Sequence, residues 1–107
     1  MPTVFGRLPT LKDYEEQFLL SDRLLEWAQD AAKRCSNTPA FTPTPKAIVA
    51  AAAAFCAYNR CICEGVDSGE YTTEWGLTLD DLCSLSPIPS DRVSRTVSEM
   101  NSILEWY

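Results

Sequence analysis

From Ala47 to Tyr58 this chain carries no charged residue and one polar side-chain group, the Tyr58 hydroxyl. A surface helix shows an apolar stripe and a polar stripe, whereas a helix that is apolar all round is buried all round. Most of this run is alanine, Ala50 to Ala54 without interruption. Small side chains let neighbouring helices come close on every side. The expected object is a central helix wrapped by others, and the wrapping helices then carry whatever contacts the outside.

With 107 residues the chain is long enough for one domain, and a hydrophobic content of 46% supplies one core. The net charge is −6. An acidic chain is a poor non-specific binder of nucleic acid, because that affinity comes from clustered Lys and Arg. Any DNA contact must come from a local basic patch, or through a partner that does most of the holding. The alanine run is bounded by Lys46 and Arg60, so no charge-free stretch reaches the length of a bilayer span. It also lies too far from Met1, and is too poor in leucine, for a signal peptide. The expectation is a soluble, intracellular protein with no membrane contact. Five cysteines (Cys35, Cys56, Cys61, Cys63 and Cys83) leave at least one over in any disulfide framework. Cys56 falls inside the alanine helix and Cys83 on an apolar helix face, so they read as reduced core residues of a reducing compartment. Cys61-x-Cys63 lacks the spacer of a zinc knuckle and the chain has no histidine, so neither a metal nor another cofactor is expected.

The helical spacing of apolar residues predicts five helices and no sheet. Residues 1–9 read as irregular, with Val4, Phe5 and Leu8 free to pin them to a domain over 10–107. Thr10 and Asp13 mark a first helix that buries Leu11, Tyr14, Phe18 and Leu19. After Ser21-Asp22 a second helix buries Leu24, Leu25, Ala28, Ala31, Ala32 and Cys35, with Trp27 at the edge of its wet face. Ser36–Pro45 is a proline-rich loop. Pro45 then suits the first turn of the alanine helix, with Thr44 as its cap and Gly65 as its end near Glu64. Val66–Gly76 reads as a long loop with Asp-Ser-Gly turn chemistry. Thr78 and Asp81 open a short helix burying Leu79, Leu82 and Cys83, with Leu85 beyond it. Ser86-Pro87-Ile88-Pro89 forces a turn. Ser90 caps a last helix that buries Val93, Val97, Met100, Ile103 and Leu104, and Trp106 and Tyr107 close the chain.

The segment from Leu79 to Leu104 has a helix-turn-helix layout: a short helix, a tight turn, and a longer helix opening Ser90-Asp91-Arg92-Val93-Ser94-Arg95. Two packed helices with no DNA role share that layout. Taken with the alanine helix, the order of elements resembles a cyclin-fold repeat of the transcription factor IIB family. The residues that carry the resemblance are the run from Pro45 to Tyr58, the short segment Thr78-Leu79-Asp80-Asp81-Leu82, and the final segment from Ile88 to Val97. The resemblance spans roughly residues 10 to 106. It implies an all-α, five-helix cyclin-like fold with a central alanine-rich helix and a C-terminal helix-turn-helix. It also implies a nuclear, non-enzymatic transcription initiation factor, or a piece of one, that bridges TATA-binding protein, promoter DNA and RNA polymerase. Promoter DNA would be met only within the larger complex.

The chain departs from that family in having one repeat and no zinc ribbon. Ser94 falls where family members that read a promoter element carry arginine, so base-specific reading does not carry over. Lys46, Arg92 and Arg95 are the DNA-side candidates. The long loop supplies the candidates for a protein partner: Asp67, Glu70 and Glu74 as a charged rim, and Tyr71 and Trp75 as aromatic anchors. The same two aromatics have a plainer reading, in which they fold back and close the core. The other functional reading is a cyclin-fold protein-interaction module, a kinase regulator or a viral mimic of a host factor, with no DNA role. An enzyme is not expected: no histidine is available as a base, no Gly-rich phosphate loop is present, and Asp80 and Asp81 point apart on a helix.

Overall fold

The computed structural model describes residues 11–39, 44–84 and 88–105. The expectations placed on Val4, Phe5, Leu8, Thr10, Leu85, Pro87, Trp106 and Tyr107 lie outside those residues. Within them the protein is all helical: α1 (Leu11–Phe18), α2 (Asp22–Ser36), α3 (Lys46–Glu64), α4 (Glu70–Trp75), α5 (Leu79–Cys83) and α6 (Ser90–Leu104). The sixth helix is α4, which forms inside the segment expected to be a loop.

Helix α3 is the core. Ala51, Ala52, Ala53 and Ala54 are all fully buried. Four consecutive residues at 100° steps cover the whole circumference of a helix, so α3 is enclosed on every side at its middle. The most extensive packing comes from α2 and α6. By length and composition α3 would also serve as a membrane-crossing helix, but 61% of its apolar window is buried against the rest of this fold. Its end is set by Gly65, whose φ of 70° is left-handed, and the following Val66 N–H reaches back to the Cys61 carbonyl at 2.9 Å. Its start differs from expectation. Pro45, not Thr44, is the capping residue, and no side chain accepts a bond there. The same holds for α6, where Pro89 takes the cap position and Ser90 is the first helical residue. In both places the proline fixes φ near −60° and has no N–H to satisfy, which lets it stand directly before the helix.

Helices α2 and α5 start on side-chain caps. Ser21 Oγ accepts from the Leu24 N–H at 3.2 Å. Thr78 and Asp81 form a reciprocal capping box, with the Asp81 N–H donating to Thr78 Oγ1 at 3.2 Å and the Thr78 N–H donating to Asp81 Oδ2 at 3.0 Å. Along α6 the buried stripe is Val93, Val97, Met100 and Leu104, flanked by Thr96. Thr96 satisfies its hydroxyl on the Arg92 carbonyl at 2.8 Å. Ile103, expected in the core, is instead exposed, because it falls off that stripe in the last turn. Leu19 is exposed as well, and it takes a left-handed φ of 51° as the chain breaks between α1 and α2. Leu11, Leu25, Ala32, Leu79 and Cys83 are half-buried rather than buried.

The α1–α2 corner is tied to the approach to α4. Leu20 pairs with Gly69 in an isolated antiparallel bridge, and the Ser21 N–H donates to the Ser68 carbonyl at 3.0 Å. Gly69 has a φ of 122°, and a Cβ there would overlap the Leu19 carbonyl oxygen and crowd the Leu20 and Ser21 backbone. Only glycine fits both constraints. Gly69→Ala is expected to cost about 2–4 kcal/mol, from backbone strain and overlap together. Urea denaturation measures it, and a loss below about 0.5 kcal/mol, the range of ordinary surface substitutions, would show that the corner is not pinned in this way.

Candidate functional site

Two surfaces carry the residues singled out above. The first is α4 and the turn before it. Asp67 shapes the turn by accepting from the Gly69 N–H at 3.0 Å and from the Thr73 hydroxyl at 3.2 Å. Thr72 is buried, its Oγ1 lying 2.7 Å from Ser68 Oγ and 3.1 Å from the Gly69 carbonyl oxygen. These bonds hold a six-residue helix too short to be stable alone. They divide the two aromatics. Tyr71, in the first turn, is half-buried with its ring 5.2 Å from that of Phe18 at an angle of 60°. Partial burial, and then the neighbouring Asp81 carboxylate, raise its phenol above the ordinary range. Trp75, the last residue of α4, is 74% exposed. Gly76, with a φ of 76°, turns the chain away beneath it. Asp67, Glu70 and Glu74 are all exposed around this tryptophan-bearing helix. Trp75 is thus outward and Tyr71 inward, on a short helix that also exposes Glu70 and Glu74, with Asp67 in the turn before it.

The second surface is the α5–α6 pair. Arg92 and Arg95 are exposed one turn apart on α6 and so share a face. Lys46 is exposed as the first residue of α3, a different helix from the one that carries the two arginines. Asp91 and Ser94 are also exposed at the start of α6. The neighbouring carboxylates Asp80 and Asp81 part company: Asp81 is used in the capping box and Asp80 stays outward.

Some contacts were not legible in the sequence. The Arg60 guanidinium lies 4.3 Å from the centroid of the Trp27 ring, and that of Arg23 lies 5.7 Å from it. The Arg23–Trp27 spacing on one helix is a visible signal, but nothing local announces that α3 delivers Arg60 to the same ring. Tyr14 is fully buried, and its hydroxyl has no hydrogen-bond partner among the described residues. Burial first, then Cys83 and Asp13, hold that phenol far above its ordinary range.

All five thiols are free. Cys35, Cys56 and Cys61 are buried, Cys83 is half-buried and Cys63 is exposed. Burial, with Cys35 adding to it, pushes the Cys56 thiol up to about 12. Its sulfur lies 3.8 Å from the Val97 carbonyl oxygen, a contact between α3 and α6. Burial and then Asp67 raise Cys61 to about 11, against the opposing pull of Arg60 and Arg23. Among the described residues no group of three or more His, Cys, Asp or Glu side chains converges as a metal site would need.

No protein-family model matches this chain, and no match is found among curated proteins or among solved structures.

Proposed function

We propose that this chain is a non-enzymatic binding module: a single cyclin-like repeat of the transcription factor IIB type that acts in the nucleus and bridges TATA-binding protein, promoter DNA and RNA polymerase. The observation that carries this reading is the order and packing of α3, α5 and α6. An alanine helix enclosed at its middle is followed, after α4, by a capped short helix and then a long helix that packs back on the first. Counted without α4, the helices follow the order that the sequence resemblance implies. Arg92 and Arg95 are the residues that would meet DNA, with Lys46 at the end of a separate helix. The net charge of −6 makes free duplex a poor ligand.

Fluorescence anisotropy with a labelled TATA duplex, with and without TATA-binding protein, tests the proposal. In salt of ~150 mM, where screening is already substantial, the chain is expected to leave free duplex essentially unbound. It is expected to add to the preformed protein–DNA complex, and Arg92→Ala with Arg95→Ala is expected to weaken that addition. Failure to join the complex would sink the reading. Sub-micromolar binding to free duplex would overturn the charge argument.

The exposed Trp75, on a helix that also exposes Glu70 and Glu74, favours a second reading, a cyclin-fold protein-interaction module, for instance a kinase regulator, with no DNA role. Capture of a kinase by the chain, lost in Trp75→Ala at unchanged melting temperature, together with no affinity for the TATA complex, would select it.

A further inference from the structure

An open groove of about 480 Å³ runs between the starts of α5 and α6, with Phe55 of α3 against it. Its volume is in the range of small-ligand and side-chain pockets. Leu77, Leu79 and the half-buried Phe55 supply the apolar lining, and Thr78, Ser90 and Ser94 are its uncharged polar residues. The charged residues that line it are Asp80 and Asp91, both carboxylates and both exposed. Neither takes part in a described ion pair or hydrogen bond, and Arg95, one turn beyond Asp91, does not pair with it. Each carboxylate sits in the first turn of its helix. With no cation among the described lining residues, the two carboxylates leave the rim negative.

We propose that this groove docks a basic–aliphatic peptide segment of a partner protein, with an aliphatic side chain against Phe55, Leu77 and Leu79 and flanking Lys or Arg heads meeting Asp80 and Asp91. Long cationic side chains suit such a site, because their methylene stems cover apolar surface while the charged head stays at the wet rim. A phosphate backbone would meet two carboxylates and be repelled. A second copy of this acidic chain would bring like charge to like charge. The inference does not depend on the transcription reading, since it uses neither TATA-binding protein nor DNA; Arg92 and Arg95 share α6 with Asp91 and Ser94 but do not line the groove.

The test is a titration of the isotope-labelled full chain, followed by amide NMR shifts, with the peptide acetyl-Ala-Lys-Leu-Lys-Ala-amide. The peptide acetyl-Ala-Glu-Leu-Glu-Ala-amide is the control. Saturable shifts are expected to concentrate at residues 77–80 and 90–94 with the basic peptide and to be absent with the acidic one. Asp80→Asn combined with Asp91→Asn is expected to weaken binding by about tenfold, which corresponds to about 1.4 kcal/mol, while the Thr78–Asp81 capping box stays intact. Three outcomes overturn the proposal: no saturable binding, shifts spread equally over Asp67, Glu70 and Glu74, or equal binding of the two peptides. The wild-type shift map and the acidic control decide the matter even if the double variant folds poorly.

Discussion

Leucine at Ala51 or Ala54 is expected to destabilise the protein by about 1–3 kcal/mol each, the usual cost of forcing extra methylenes into a packed core. Both alanines are fully buried, as are Ala52 and Ala53 between them. Because all sides of α3 are buried at these positions, no rotation of the helix carries an enlarged side chain to solvent. The larger side chain must therefore push α2 or α6 outward, and those are the helices that pack most extensively on α3. For a domain near 100 residues each kcal/mol lowers the melting temperature by roughly 4–8 °C. Thermal melts of the single variants at positions 50 to 54 provide the measurement. If all five tolerate leucine with no fall in melting temperature, α3 is not the enclosed centre of the fold.

Stability is also expected to collapse on the alkaline side, between about pH 9 and pH 11. Cys56 and Cys61 are buried at 1% and 0% exposure, and burial raises their thiols from an ordinary 9.0 to about 12 and about 11. A group whose pKa is higher in the folded state keeps its proton there while the unfolded chain loses it. The stabilisation is therefore complete below pH 9 and is lost as pH rises towards the folded values. In that window each pH unit removes about 1.4 kcal/mol for each thiol. By pH 11 the two together account for on the order of 5 kcal/mol, a large share of a typical domain's stability. Tyr14, raised by its own burial, adds to the loss above pH 10. Urea denaturation under reducing conditions at pH 8, 10 and 11 measures the slope. Cys56→Ala combined with Cys61→Ala is expected to flatten it. A wild-type stability that stays level from pH 8 to 10.5 would show that these thiols are not held neutral in the core.

Much of the helical framework was legible because its signals are local. The absence of a polar stripe on Ala47–Tyr58 announced an enclosed helix, and Gly65 announced where it ends. Thr78 and Asp81, three residues apart, announced the capping box that starts α5. Burial of Leu24, Ala28, Ala31 and Cys35 followed from one helical period. Each of these is a property of residues within a turn or two of one another, so the chain itself contains the whole cause.

The rest depended on partners distant in sequence. Helix α4 could not be read from Glu-Tyr-Thr-Thr-Glu-Trp, because six residues lack intrinsic stability. It forms where Gly69 is wedged against Leu19 and Leu20, and where Tyr71 packs on Phe18. The same docking decides that Tyr71 turns inward and Trp75 outward, although both are aromatic and four residues apart. Arg60 reaches Trp27 because α2 packs on α3, and Phe55 reaches the α5–α6 groove because α5 and α6 pack there too. By itself the sequence determined the helices other than α4 and which of them must be central, since capping and periodicity act over a few residues. Only the tertiary structure decided which aromatic and charged side chains reach the surface and which of them stand together, because that depends on contacts made between segments that are far apart along the chain.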